Sequence, residues 1–208
     1  MSVATFLALV FQVAVGIFAV QSRHAPVSYA KATAYAAAAV YNGWRTGIDP
    51  FELVGVARNE SDFVEAKRSR DGKDCGLTQT RITVTRFSCR QLRRSFWLAF
   101  HEAARELSQY ASSCRNHGDA TRCRLNRYNS GIRYATRGPH GAYWLRVQCF
   151  AQAARATRDT GDECRAVRRK RDIARVLRHG TPRFPRLDAE ARHAALVAAP
   201  LPAVLARR

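Results

Sequence analysis

The stretch Ile48-Asp49-Pro50-Phe51-Glu52-Leu53-Val54-Gly55-Val56-Ala57-Arg58-Asn59-Glu60-Ser61-Asp62-Phe63 decides how this chain is read. It opens like a helix. Asp49 can accept hydrogen bonds from the free backbone N–H groups, and Pro50 fits the first helical position, where its missing N–H costs nothing. Glu52 stands three residues after the cap, as in a capping box. Leu53, Val56 and Ala57 then fall at i, i+3 and i+4, so the next position of the apolar stripe is Glu60. A carboxylate on a buried face is costly when ionised, and desolvation should raise its pKa. A carboxylic acid that stays protonated near neutral pH can act as a general acid. The plainer reading is a helix that has just ended, with Glu60 solvated at its C-terminus.

Around this stretch lies a chain of 208 residues, enough for one ordinary domain with extensions. Its composition is globular, with 47% hydrophobic residues, but 35 Lys+Arg against 16 Asp+Glu give a net charge of +19. Such a chain is attracted to polyanions: nucleic acid, anionic lipid or the acidic polymers of a bacterial envelope. Val3 to Val20 is nearly all apolar and uncharged, and Arg23 and His24 follow at once. This segment reads as a secretory signal or an uncleaved anchor rather than a core helix, because it has no polar face. Small residues near Ala19 and Ser22, or near Ser28 and Ala30, would permit cleavage.

Six cysteines fit export. Local pairing (Cys75 with Cys89, Cys114 with Cys123, Cys149 with Cys164) is expected, because each bridge would staple a loop between neighbouring elements. Zinc is the rival reading, but no C-x-x-C pair is present and the histidines lie at no ligand spacing from the cysteines. No metal or cofactor is expected.

The remaining pattern is mainly α. Lys31–Arg45 reads as a helix, with Tyr35, Ala38, Ala39, Val40 and Trp44 available for packing. Val64 to Ser88 is polar and broken by Asp71-Gly72, and Arg81–Phe87 within it suits a short strand or an extended loop. Gln91–Tyr110 reads as one helix, its stripe running through Leu92, Phe96, Ala99, Phe100, Ala103 and Leu107, with Arg93, Arg94, Glu102 and Arg105 outward. Leu125–Tyr134 and Tyr143–Thr157 read as further helices. Glu163–Arg178 reads as one basic helix with Val167, Ala174 and Leu177 for packing. Its run Arg165–Arg178 holds six arginines and one lysine, a solvated face or a dock for anionic glycan, envelope polymer or lipid. The domains are then residues 1–30 as leader or anchor, 31–178 as the helical domain, and 179–208 as a basic, Pro-containing tail.

Three short motifs occur in order: Glu60-Ser61-Asp62-Phe63, then Gly76-Leu77-Thr78-Gln79, then Tyr128-Asn129-Ser130-Gly131. This order resembles the soluble lytic transglycosylase family of murein-cleaving enzymes, and Ile48 to Val54 is similar to the stretch before that family's glutamate. The resemblance covers roughly residues 32–150. It implies a lysozyme-like fold and peptidoglycan as substrate. Glu60 matches the single catalytic acid/base, and Ser61 looks like the serine that helps to orient the substrate. Gly76, Leu77 and Gln79 match the loop lining the sugar cleft, Tyr128 and Asn129 match the pair near the acid, and Tyr143 matches a late aromatic. The chain departs from the family at Thr78, where Met is usual, between Cys89 and Phe96, where the usual Asn and Gly are missing, and in carrying Cys75 and Cys89.

Hydrolysis of a glycoside normally takes two carboxylates, about 5–5.5 Å apart for retention or roughly 6.5–9.5 Å for inversion. Asp62, Asp71 and Asp74 are candidate seconds, but all stand in polar contexts. The resemblance implies a route that needs only one. Glu60 would protonate the glycosidic oxygen, and its carboxylate would then take the proton of the muramyl C6 hydroxyl as that oxygen closes onto C1. Three other readings stand beside this one. One is a lysozyme-type muramidase, including a phage lysin. Another is a basic nucleic-acid-binding protein, which explains neither the leader, the cysteines nor the motifs. The third is a catalytically dead relative that only binds glycan, against which the intact Glu60 argues. The expected location is exported, periplasmic or extracellular, with possible membrane anchoring by residues 3–20.

Overall fold

The computed structural model describes residues 1–130 and 142–182, and the fold they form is mainly helical. The helices are α1 (Val3–Val20), α2 (Tyr29–Thr46), α3 (Pro50–Ser61), α4 (Cys89–Arg94), α5 (Phe96–Ser113), α6 (Ala120–Ser130), α7 (Tyr143–Arg155), α8 (Glu163–Ala166) and α9 (Lys170–His179). Two short antiparallel pairs join them: β1 (Asp74–Cys75) with β2 (Thr80–Arg81), and β3 (Arg158–Asp159) with β4 (Thr181–Pro182). The expected tail, Gly131 and the end of the helix expected to reach Tyr134 lie outside the described residues.

α3 is the central element. Asp49 caps its first turn by accepting from the Phe51 N–H, and Pro50 opens it as expected. Phe51 to Arg58 are all buried, because α2 covers one side of α3 and α7 the other. Gly55 permits the close α7 contact: a Cβ there would stand 2.5 Å from the Val147 carbonyl oxygen. α1 packs on α2 and α7, placing Phe6, Val10, Val13, Ala14, Ile17 and Val20 in the same core as Leu53, Val54 and Val56. By length and composition α1 is apolar enough to cross a membrane, and half of it is buried in this fold.

The disulfides are the three local pairs expected: Cys75–Cys89, Cys114–Cys123 and Cys149–Cys164. Each closes a short loop between packed elements, restricting the unfolded chain.

Several expectations need correction. Glu52 makes no capping box. It is 2% exposed and receives two hydrogen bonds from Arg124 of α6, at 2.9 and 2.6 Å. The helix expected over Gln91–Tyr110 is two helices, because Ser95 turns extended and caps the second by accepting from the Leu98 N–H at 3.3 Å. Glu102, expected outward, is buried and paired with Arg105. α6 begins at Ala120, before the expected Leu125, where Asp119 accepts from the Arg122 N–H. The basic helix is also two. Val167 leaves helical geometry to bury its side chain, and Asp172 restarts the helix by accepting from the N–H groups of Arg168 and Arg169. Ile173 and Val176 of α9 are buried there, while Ala174 is exposed. Trp44 is 54% exposed rather than packed.

Candidate active site

The last turn of α3 carries the site. Ser61 ends the helix, and Asp62 closes it in a left-handed conformation with its N–H on the Arg58 carbonyl. Arg58 fixes this turn from beneath. Its guanidinium is wholly buried, donates to the Val20 carbonyl at 2.5 Å and to Asp162 at 2.9 Å, and pairs with Asp62. It also lies 4.7 Å from the centre of the Phe150 ring. The end of α1, the end of α3 and the loop before α8 are therefore tied to one cation. Nothing local in the sequence marks Arg58 for that role.

Glu60 is half-buried at this end of the helix. Burial pushes its carboxyl up to about 7, with the Tyr143 phenol, Lys67 and Arg146 opposing the shift and Asp74 adding to it. The Tyr143 hydroxyl is buried and among the described residues has no hydrogen bond of good geometry, yet it faces Glu60 closely enough to favour the carboxylate. Glu60 in turn drives the phenol well above its ordinary value, after burial. The Lys67 ammonium donates to the Glu60 backbone carbonyl at 2.6 Å.

The second motif meets the first through Ser61. This serine is 1% exposed, and its hydroxyl lies 2.6 Å from the Leu77 carbonyl and 3.1 Å from that of Ala57. It ties the loop to the helix rather than opening onto a cleft. Leu77 is likewise fully buried and anchors the loop in the core. Gly76 is required where it stands: its φ is +80°, and a Cβ would approach the Leu92 carbonyl oxygen to 2.5 Å. Gln79 also adopts a positive φ, 49°, and one amide N–H donates to the Gly76 carbonyl at 2.9 Å. Its amide oxygen and second N–H remain for other partners. Thr78 is buried, with its hydroxyl on the Ala99 carbonyl at 3.1 Å, so this position fastens the loop to α5.

The third motif closes on the same loop. The Tyr128 hydroxyl donates to the Thr78 carbonyl at 2.8 Å. Burial raises its phenol well above the ordinary value, and the Glu106 and Glu60 carboxylates raise it further, so both lie near it. Asn129, expected beside the acid, is exposed. Asn126, one turn earlier, is fully buried, and neither atom of its amide has a partner among the described residues. Sequence reading passed over Asn126, although its position beside the Tyr128 motif was a usable signal.

No candidate second carboxylate is free. Asp62 is held by Arg58 and Arg165, Asp74 pairs with Arg81 at 2.9 Å, and Asp71 accepts from Ser69 at 2.6 Å. Among the described residues no group of three or more His, Cys, Asp or Glu side chains is arranged to hold a metal. Two open grooves lie away from Glu60. One of about 420 Å³ is lined by Trp144, Gln148 and Lys170, and one of about 540 Å³ by His24, Asp162 and His179.

A second buried carboxyl near Tyr128, Glu106, is also raised by burial and accepts from the Tyr110 hydroxyl at 3.0 Å. The arrangement thus presents Glu60 with a phenol facing it and a loop with a partly free amide. That set can exchange a single proton with a bound polar ligand near neutral pH. No family model, no curated protein and no solved structure matches this chain.

Proposed function

We propose that the chain is a lysozyme-like lytic transglycosylase that cleaves the β-1,4 bond between N-acetylmuramic acid and N-acetylglucosamine in peptidoglycan. The observation that carries this reading is Glu60: a half-buried carboxyl raised to about 7, on a helix end bonded to the second motif's loop, which the third motif bonds in turn. Glu60 begins protonated and gives its proton to the glycosidic oxygen. The carboxylate it becomes then accepts the C6 hydroxyl proton, and that oxygen bonds to C1, leaving a 1,6-anhydro end. The pairing of Asp62, Asp71 and Asp74 with other groups supports a route that needs no second carboxylate. Gln79, whose amide keeps free positions, would hold the sugars, and Tyr128 and Tyr143 would support the loop and Glu60 from within. α1 would serve as a secretory signal or membrane anchor, and the three disulfides fit an oxidising compartment. The basic face of α8 and α9 would add attraction to anionic envelope polymers.

Mass analysis of muropeptides released by the wild type tests the reading. Anhydro ends that vanish with Glu60→Gln are expected. Reducing ends would assign a muramidase instead, and no release at all would end the proposal.

A further inference from the structure

The cations around Glu60 do not all serve the same purpose. Lys67 donates to the Glu60 carbonyl, and Arg165 reaches the carbonyls of Arg58 and Asn59 at 3.4 and 3.5 Å while pairing with Asp62. These two satisfy the C-terminal carbonyls of α3, where positive charge is favourable. Arg146 of α7 is different. Its Nε donates to the neutral Asn59 amide oxygen at 3.2 Å, and its guanidinium lies 5.9 Å from the centre of the Tyr143 ring, beside Glu60. Among the described residues it makes no ion pair with a carboxylate.

Its surroundings are already positive. Burial and the nearby Arg168 depress the Arg146 guanidinium, Tyr143 and Glu60 oppose this, and Arg165 adds to it. Burial also depresses the Lys67 ammonium, the Glu60 carboxylate opposes this, and Arg165 adds to the depression. Glu60 offsets little of this charge while it is protonated. A guanidinium held in place, partly desolvated and crowded by like charges gains most from an anionic partner.

We propose that Arg146 is a specificity-determining residue that binds a carboxylate carried by the glycan next to the bond being broken. The inference rests on the glycan-cleaving reading above and narrows its substrate class. Muramic acid bears a lactyl ether whose carboxyl the polymer joins to a peptide as an amide, and the free carboxylates beside the bond are those of that peptide. A polymer of N-acetylglucosamine alone has the same β-1,4 linkage and no such group. A planar guanidinium fork recognises a carboxylate by two parallel hydrogen bonds, which an amide cannot reproduce. Arg146 would thus select acidic muramyl strands over neutral ones.

The test compares kcat/KM of the full chain on peptidoglycan and on the same material with its free carboxylates amidated. Wild type should prefer the native material by about tenfold, the factor that one charge-assisted pair is worth. Arg146→Gln should bring that ratio close to one. Arg45→Gln, which removes an exposed charge from the last turn of α2, should leave the ratio where it was. The ratio does not depend on the fraction of molecules folded. A wild-type ratio near one overturns the inference, as does an equal fall in both variants, which would mark generic attraction by a basic protein. If wild type cleaves both materials equally and Glu60→Gln cleaves neither, only this inference falls. If wild type cleaves neither, the transglycosylase reading falls and takes this inference with it.

Discussion

The first and last turns of α3 each hold a glutamate removed from water, and the two are put to opposite uses. Glu52 is met by the Arg124 fork at 2.9 and 2.6 Å. Glu60 is met by one phenol and, at longer range, by Lys67 and Arg146. Burial pushes both carboxyls upward, but at Glu52 the Arg124 hydrogen bonds are the main opposition. A fork of this kind fixes a carboxylate and joins α3 to α6. A lone phenol beside a half-exposed acid leaves the proton free to move. What separates a structural glutamate from a reactive one on the same helix is therefore the partner together with the exposure: Glu52 is 2% exposed against a fork, and Glu60 is half-buried against a phenol.

Exchanging acid for amide at Glu60 should separate the two glutamates most clearly. Glu60→Gln keeps the shape and removes the proton, so peptidoglycan cleavage should fall at least about a hundredfold. Circular dichroism should show an unchanged fold. Cleavage within a few-fold of wild type would mean that Glu60 is no more reactive than Glu52.

Arg124→Met should do the reverse. It strands Glu52 in the core and should cost roughly 3 kcal/mol of stability in urea denaturation. Specific activity of the molecules that remain folded should stay near that of wild type. A variant as stable as wild type would show that the fork does not hold α3 to α6.

The comparison can be sharpened by pH. Glu60 moves from an ordinary 4.5 in the unfolded chain to about 7 in the fold. Its protonated form is thus favoured by folding, and that contribution is complete below about pH 4.5 and lost as pH rises through 7. Glu60→Gln, which never ionises, should therefore be more stable than wild type at pH 8 by roughly 2 kcal/mol, allowing for partial exposure, and equal to it at pH 4. The rate of the wild type should decline above about pH 7, because the acid must begin protonated. Equal stabilities at both pH values, with a flat rate profile, would return Glu60 to the ordinary range.

How much of this was legible beforehand follows from the range of each interaction. The α3 start, the helical character and the disulfide pairs rest on signals within a few residues, and they were readable. Glu60 was readable because a carboxylate broke an apolar stripe at helical spacing. Glu52 was misread for the same locality: a capping box is a short-range rule, and the partner that overrode it is Arg124, 72 residues away. Arg58 was missed because its burial depends on Val20 and Asp162, which no periodicity connects. Ser95 and Val167 split helices whose stripes ran on without a break in hydrophobicity. Asn129 matched a motif, but the helix turns it outward and Asn126 inward.

The finest adjustment is at Tyr143, the partner that distinguishes the two glutamates. Tyr143→Phe keeps the ring, so the desolvation of Glu60 persists, and it removes the one hydroxyl that favours the carboxylate. The Glu60 pKa should then rise by a fraction of a unit, and the alkaline limb of the rate profile should move up with it. Arg146→Gln should shift the limb in the same direction by removing a positive charge. Salt separates the two causes. A charge acting across several ångströms is screened by added salt, whereas a short-range contact with a hydroxyl is not. The Arg146→Gln shift should therefore shrink in 0.5 M salt (about half the concentration at which screening reaches roughly 3 Å), and the Tyr143→Phe shift should persist. A Tyr143→Phe limb that coincides with wild type at every salt concentration would show that the phenol does not govern the Glu60 proton, and the contrast with the Arg124 fork would have to rest on exposure alone.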